Sequence, residues 1–177
     1  MKQIAFSIPI YKFKVNNWHI KKKKLLELFD NCNHKVIGNV TTSPTDMKID
    51  ILLEEIKLFE NEMGSDFYCK EAWFQQYERN MDHTVHDHGA IGYSSVCFIE
   101  YDRSKHEPTT FVSPFHNSIT KQIDEYKPDV IEGDIIFFPS YLPHYVPLNV
   151  SDVKRTVLSF NLKSDKRNET IMGVSYN

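Results

Sequence analysis

A cluster of histidines and a downstream arginine carry the chemistry open to this chain. His83-Thr84-Val85-His86-Asp87-His88-Gly89 puts three imidazoles within six positions, in a sequence with eight histidines in all. If residues 86 to 88 are extended, side chains at i and i+2 share one face. His86 and His88 then point together and Asp87 points away. With a third imidazole from another strand they can hold a metal on one side and leave coordination positions open. His144 is that candidate. It follows Gly133-Asp134-Ile135-Ile136-Phe137-Phe138-Pro139-Ser140, which reads as a tight turn feeding a fully buried strand. An exposed polar loop with idle histidines is the bland alternative, and the second half of the chain weighs against it.

Eleven residues after His144 stands Arg155. Along that strand Arg155, Val157, Ser159 and Asn161 alternate with Thr156, Leu158, Phe160 and Leu162. An arginine facing inward is costly unless an anion meets it, and its planar fork suits a carboxylate. His144 to Leu148, a turn at Asn149 to Asp152 and Val153 to Leu162 read as a hairpin. That pairing would make His144 and Arg155 diagonal neighbours on one face, roughly 7–8 Å apart at Cα.

The elements around these residues follow from patterning. Residues 4 to 15 read as a strand, with Pro9 favouring an edge. Residues 18 to 30 read as a helix whose Lys21 to Lys24 run is either an anion patch or a solvated face. Residues 31 to 44 look like loop. Thr45 to Met63 is the clearest helix, with Thr45 as N-cap, Asp46 near the positive end of the dipole, Leu52, Ile56, Phe59 and Met63 on one stripe, and Gly64 as its end. From Phe67 to Arg79 the period becomes two, and Trp73, Gln75, Tyr77 and Arg79 share a face of the kind that lines a pocket. Ser94 to Tyr101 is a strand apolar on both faces. Residues 102 to 125 read as irregular, with a short strand at Thr109 to Val112, and are the natural lid or substrate loop; His106 and His116 within it read as surface residues.

At 177 residues the chain fits one domain, with an N-terminal strand and helices over 1–65 and a metal-binding core over 66–163. A net charge of −3 gives no strong nucleic-acid signal. Cys32, Cys69 and Cys97 form no CxxC pattern and suggest reduced thiols in a cytoplasmic protein. No apolar run approaches a membrane span. Many short strands with two or three covering helices predict a mainly β fold, an antiparallel sandwich or jelly roll. Neither the substrate nor the oligomeric state is legible.

The order of these motifs resembles a known family. His86-Asp87-His88, then Ser94-Ser95-Val96, then Gly133 to His144, then Arg155 to Asn161, is similar to a small branch of the 2-oxoglutarate/Fe(II)-dependent oxygenases of the H-x-H…H…R type. The resemblance spans about residues 70 to 163. It implies a double-stranded β-helix, with Fe(II) held by His86 and His144 and the distal carboxylate of 2-oxoglutarate held by Arg155. Tyr77, Tyr93, Ser159 and Asn161 would assist with the co-substrate. The wider superfamily has a carboxylate two positions after the first histidine; here that position is His88, the third metal ligand on this reading, with His83 or Asp87 as its substitutes in a looped conformation. Asp87 could instead accept a hydrogen bond from a ligating imidazole. The implied activity is hydroxylation coupled to decarboxylation of 2-oxoglutarate to succinate. Two other readings stay open: a three-histidine, cupin-like dioxygenase that does not use 2-oxoglutarate, and a non-catalytic jelly-roll binding module.

Overall fold

The fold is built from period-two segments that alternate between two cores. The computed structural model describes residues 7–45 and 49–164. Among them the chain order is β1 (Tyr11–Lys14), α1 (Trp18–Asp30), β2 (Lys35–Ile37), β3 (Val40–Thr45), a short 3-10 turn (Ile49–Leu52), α2 (Leu53–Met63), β4 (Phe67–Tyr77), β5 (His83–His86), β6 (Tyr93–Glu100), β7 (Thr110–His116), β8 (Ile123–Tyr126), β9 (Asp134–Pro139), β10 (His144–Val146) and β11 (Arg155–Ser164). They form a seven-stranded sheet, β1-β9-β6-β11-β4-β3-β2, and a four-stranded sheet, β5-β10-β7-β8. This is the mainly β, jelly-roll architecture expected, with two covering helices.

Strand alternation decides which core each side chain enters. On the large sheet Phe74, Cys97, Ile99, Ile135, Phe137, Leu158 and Phe160 face the helices, where they meet Leu25, Leu52, Ile56 and Phe59. Phe59 stacks on Phe137 at 4.5 Å between ring centroids. The intervening residues Tyr77, Val96, Phe98, Ile136, Phe138 and Val157 face the small sheet and pack with Phe111 and Val146. The helix layer is thus a brace for one face of the large sheet, and the chemistry lies on the other.

Several expectations change. Residues 31 to 44 are not loop: β2 and β3 form a hairpin paired to the edge of β4. The turn is Gly38-Asn39 between two short arms, and Gly38 makes it at φ 60°. The second helix starts later than Thr45, which ends β3; a 3-10 turn precedes α2, and Glu54 and Glu55 occupy its first turn. Asp46 lies outside the described residues, as does the start of the expected 4 to 15 strand. β1 does lie at a sheet edge, beside β9. The lysine run is no anion patch, because Lys21 binds the buried Glu55 at 3.0 Å and Lys22 binds Glu132 at 2.7 Å. Residues 102 to 125 carry more strand than expected, β7 and β8 pairing as a hairpin.

The largest change concerns His144 and Arg155. β10 and β11 are not a hairpin. β10 pairs with β5 and β7 in the small sheet, whereas β11 lies between β4 and β6 in the large one. Pro147 offers no N–H to extend β10. The connection then crosses between sheets, pinned by the Asn149 side-chain amide donating to the carbonyls of Tyr77 and Val153 at 3.0 and 2.8 Å.

Candidate metal centre

The cross-strand pair His144 and His86 begins the site: the two residues are direct partners in the β10–β5 ladder. Their ring centroids are 4.4 Å apart. His88 follows two residues beyond β5, its backbone N–H donating to the Ser140 carbonyl at 2.9 Å. That bond ties the end of the histidine stretch to the end of β9. One ring nitrogen from each of His86, His88 and His144 lies within 4.8 Å of the others.

Two of the rings are oriented by the backbone. His86 Nδ1–H donates to the Thr84 carbonyl at 2.7 Å, and His144 Nδ1–H donates to the Leu142 carbonyl at 2.9 Å. Each Nε2 then carries a lone pair, the form a metal needs. Burial, reinforced by the neighbouring imidazoles, holds the His88 ring down at about 4 and the His144 ring at about 3. Both are therefore neutral near pH 7 and have no proton to displace.

His83 and Asp87 are not part of this triad. His83 stacks on His86 at 4.0 Å and its Nδ1 meets the Gln75 side-chain amide at 3.1 Å. The exposed Asp87 carboxylate accepts the Gly89 N–H at 2.9 Å and is not the acceptor for the His86 or His144 Nδ1–H. The expectation that Asp87 orients a ligating imidazole is corrected accordingly: backbone carbonyls do this for His86 and His144.

Arg155 stands across the interior, only 2% exposed. Its Nη2 donates to Thr109 Oγ1 at 3.0 Å, and its guanidinium carbon lies 5.0 Å above the Tyr77 ring and 5.6 Å from that of Phe98. Nε and Nη1 have no hydrogen-bond partner, nor does the Tyr77 hydroxyl. Among the described residues no carboxylate pairs with this guanidinium. A buried cation whose donors lack acceptors is expensive unless an anion joins it. The histidines and the Arg155 partner Thr109 line one cavity, with Gln75, Ser159 and Val157 on its floor. At about 10 Å³ the gap is narrow, so a five-carbon diacid enters only as these side chains part. The donor set fits Fe(II) with open positions, and the orphaned guanidinium fits the far carboxylate of 2-oxoglutarate.

The remaining expected residues divide. Tyr77 lies against Arg155, and Ser159 lies in the cavity, its hydroxyl donating to Gln75 Oε1 at 3.4 Å. Asn161 is engaged elsewhere: its amide donates to Glu71 at 2.8 Å and its oxygen accepts from Ser94 at 2.7 Å. Tyr93 is on the wrong face. It packs among Tyr11, Phe59 and Phe67 on the helix side, because its register partner Leu162 faces that way. His106 is buried rather than on the surface, bonded to the Asp102 N–H and the Val153 carbonyl, while His116 is exposed. Patterning places Gln75 on the pocket-lining stripe of β4, outside the expected co-substrate set; nothing in the sequence marks Thr109 as a site residue.

A family model described as "Putative 2OG-Fe(II) oxygenase" matches residues 71–161, just over half of the chain. A search of curated proteins finds no match. Among solved structures, the chain is similar to the non-heme alpha-ketoglutarate-dependent carbocyclase SnoK from nogalamycin biosynthesis (TM-score 0.69, 10% identity, covering 94% of this chain and 86% of that one). It is also similar to a Pseudomonas putida prolyl-4-hydroxylase (TM-score 0.62, 14% identity, 90% and 94%). A third is HygX from Streptomyces hygroscopicus with nickel, 2-oxoglutarate and hygromycin B bound (TM-score 0.65, 8% identity, 88% and 83%). At these identities the structural likenesses establish the fold.

Proposed function

We propose that this chain, which belongs to the 2OG-Fe(II) oxygenase family, holds its iron with His86, His88 and His144 and anchors 2-oxoglutarate with Arg155. The observation that carries the assignment is the buried guanidinium without an anionic partner, whose hydrogen-bond partner Thr109 lines the same cavity as the three clustered imidazoles. Fe(II), 2-oxoglutarate and O2 together supply the oxidising chemistry: the co-substrate loses CO2 to become succinate, one oxygen atom going to it and the other into a substrate C–H bond, giving an alcohol.

The side chains do the rest. His86 and His144 keep their Nε2 lone pairs inward because the opposite nitrogen is engaged by a carbonyl. His88 replaces the carboxylate usual in such sites, so the ligand set is neutral and the full dication charge attracts the dianionic co-substrate. Arg155 has two donor nitrogens without a protein acceptor, Nε and Nη1, at which an anion can be met. Thr109 holds the third donor, and the Tyr77 face supports the guanidinium plane. The Phe98, Phe111 and Phe138 rings keep bulk water from the interior. Ser159, through Gln75, is the second co-substrate residue we assign.

No helix among the described residues is long and apolar enough to cross a membrane. The wide spacing of Cys32, Cys69 and Cys97, with no CxxC pattern, supports a reducing, cytoplasmic setting. The test is succinate formation from 2-oxoglutarate under O2. It should require Fe(II) and be lost in Arg155→Ala; turnover that survives without Arg155 would overturn the assignment.

A further inference from the structure

Strands β4 and β11 lay out the site as a ruler. On the site face of β4 stand Glu71, Trp73, Gln75 and Tyr77, each opposite Asn161, Ser159, Val157 and Arg155 in turn. Burial deepens along the row. Glu71 is exposed and Trp73 half-buried, whereas Gln75 is 7% and Tyr77 0% exposed. The Tyr77 end carries Arg155. The Trp73 rung lies beside the metal cluster, its indole 5.4 Å from the His88 ring. Glu71 is the outer end, about 20 Å along the strand from Tyr77.

A second, open cavity of about 420 Å³ lies at that outer end, between the β2–β3 hairpin and β4. Its walls include Val40, Pro44, Trp73, Glu71 and Asn161, and it shares Gln75, His83 and His88 with the metal cavity. It therefore opens directly onto one proposed ligand. Its one carboxylate is held in place: Asn161, itself buried, donates to Glu71 Oε1, and Ser94 fixes Asn161 in turn. Among the described residues no lysine, arginine or histidine forms an ion pair with Glu71. A positioned carboxylate beside an indole face, over an apolar floor, is the chemistry that recognises a cation on a hydrocarbon stem.

We propose that this groove is the substrate channel, and that it takes an aliphatic amine or guanidine whose cationic end pairs with Glu71 while its stem lies on Trp73. This rests on the oxygenase reading of the neighbouring site. The spacing defines the geometry of oxidation. Glu71 and Trp73 are one two-residue step apart, about 7 Å, so the carbon presented to the metal lies several bonds from the charged nitrogen. A free basic metabolite and a basic side chain in a peptide share this chemistry.

The test is calorimetric titration of anaerobic protein loaded with Fe(II) and 2-oxoglutarate, using agmatine, lysine, Nα-acetyl-lysine amide and a pentapeptide with central lysine, against norleucine as the neutral isostere. At least one basic probe should bind ten-fold or more tighter than norleucine, and whether it is a free amine or the peptide identifies the source. Glu71→Gln should bring that probe down about ten-fold, towards norleucine, while the visible band of the iron–2-oxoglutarate chelate persists. Equal affinity for basic and neutral probes, or unchanged affinity in Glu71→Gln, overturns the proposal with the chelate band still present. A wild-type protein with no chelate band overturns the oxygenase reading and this proposal with it.

Discussion

His144 and Arg155 are eleven residues apart in sequence and stand on opposite sheets, one in the β5–β10 ladder and the other between β4 and β6. The crossing at Pro147 to Lys154 is what lets one short segment contribute to both walls. His144 comes to the metal cluster from one side, and Arg155 comes to Thr109 and Tyr77 from the other. The separation of the histidine cluster from Arg155 is then set by the packing of one sheet on the other.

Arg155 should be a liability to the unliganded protein. Two of its donor nitrogens, Nε and Nη1, are buried without an acceptor. Arg155→Met keeps the bulk and removes the charge, so we expect the apo-protein to gain about 1–3 kcal/mol. In thermal melts this is a rise of several degrees, at about 2–4 °C per kcal/mol for a chain of this size. Conversely, with Mn(II) already bound, adding 2-oxoglutarate should raise the melting temperature of wild type further and leave that of Arg155→Met unmoved. A variant less stable than wild type would show that some protein acceptor already satisfies the guanidinium.

Thr109→Val removes the hydrogen bond to Arg155 Nη2 while conserving shape. A hydrogen bond to a charged group is worth about 1.5–3 kcal/mol. Affinity for 2-oxoglutarate should drop about ten-fold, with Fe(II) affinity unchanged. Equal losses of both would place Thr109 in a general structural role.

The three proposed ligands and His83 should separate cleanly in metal titrations. His86→Ala, His88→Ala and His144→Ala each remove one of three donors and should weaken Fe(II) binding at least a hundred-fold. His83→Ala, whose ring meets Gln75 rather than the shared centre, should stay within about ten-fold. If His83→Ala is the more damaging change and His88→Ala the milder, the third ligand is His83.

Acid should unfold the apo-protein early. The His83 and His88 rings are held near 4 and His144 near 3, largely by burial, against about 6.5 in the unfolded chain. Between those values the unfolded state binds protons that the folded state does not. Stability is thus full above about pH 6.5 and declines as pH falls towards 4. Urea midpoints at pH 7.5 and pH 5.5 check this, the lower pH giving the lower midpoint. Equal midpoints would mean that the rings are already solvated.

Much of this site is legible before folding because buried strands and sharp turns leave strong signals. The Gly133–Asp134 turn with the apolar run behind it marked both β9 and the position of His144. The glycine is needed there, since at φ 85° an added Cβ would meet the Trp18 indole at 2.9 Å. Arg155 announced itself as a charge in an apolar strand. Tyr93 went to the wrong face for a related reason: β6 is buried on both sides, so alternation cannot say which side is which, and only pairing with β11 decides. The β2–β3 hairpin is hard to read because its arms are short and β3 is largely Thr and Ser with a proline inside it. It owes its strand geometry to β4, a long-range partner that local composition does not report. The expected His144–Arg155 hairpin failed on Pro147, which ends a ladder without stating where the chain goes next.

The most direct measurement is anaerobic addition of Fe(II) and then 2-oxoglutarate to the apo-protein, following the weak visible charge-transfer band of the chelate. We predict a band in wild type, a band that needs far more 2-oxoglutarate in Arg155→Ala, and none at the same iron concentration in His144→Ala. A wild-type protein that binds Fe(II) yet gives no band at saturating 2-oxoglutarate would contradict the assignment of Arg155 and of the three histidines as one site.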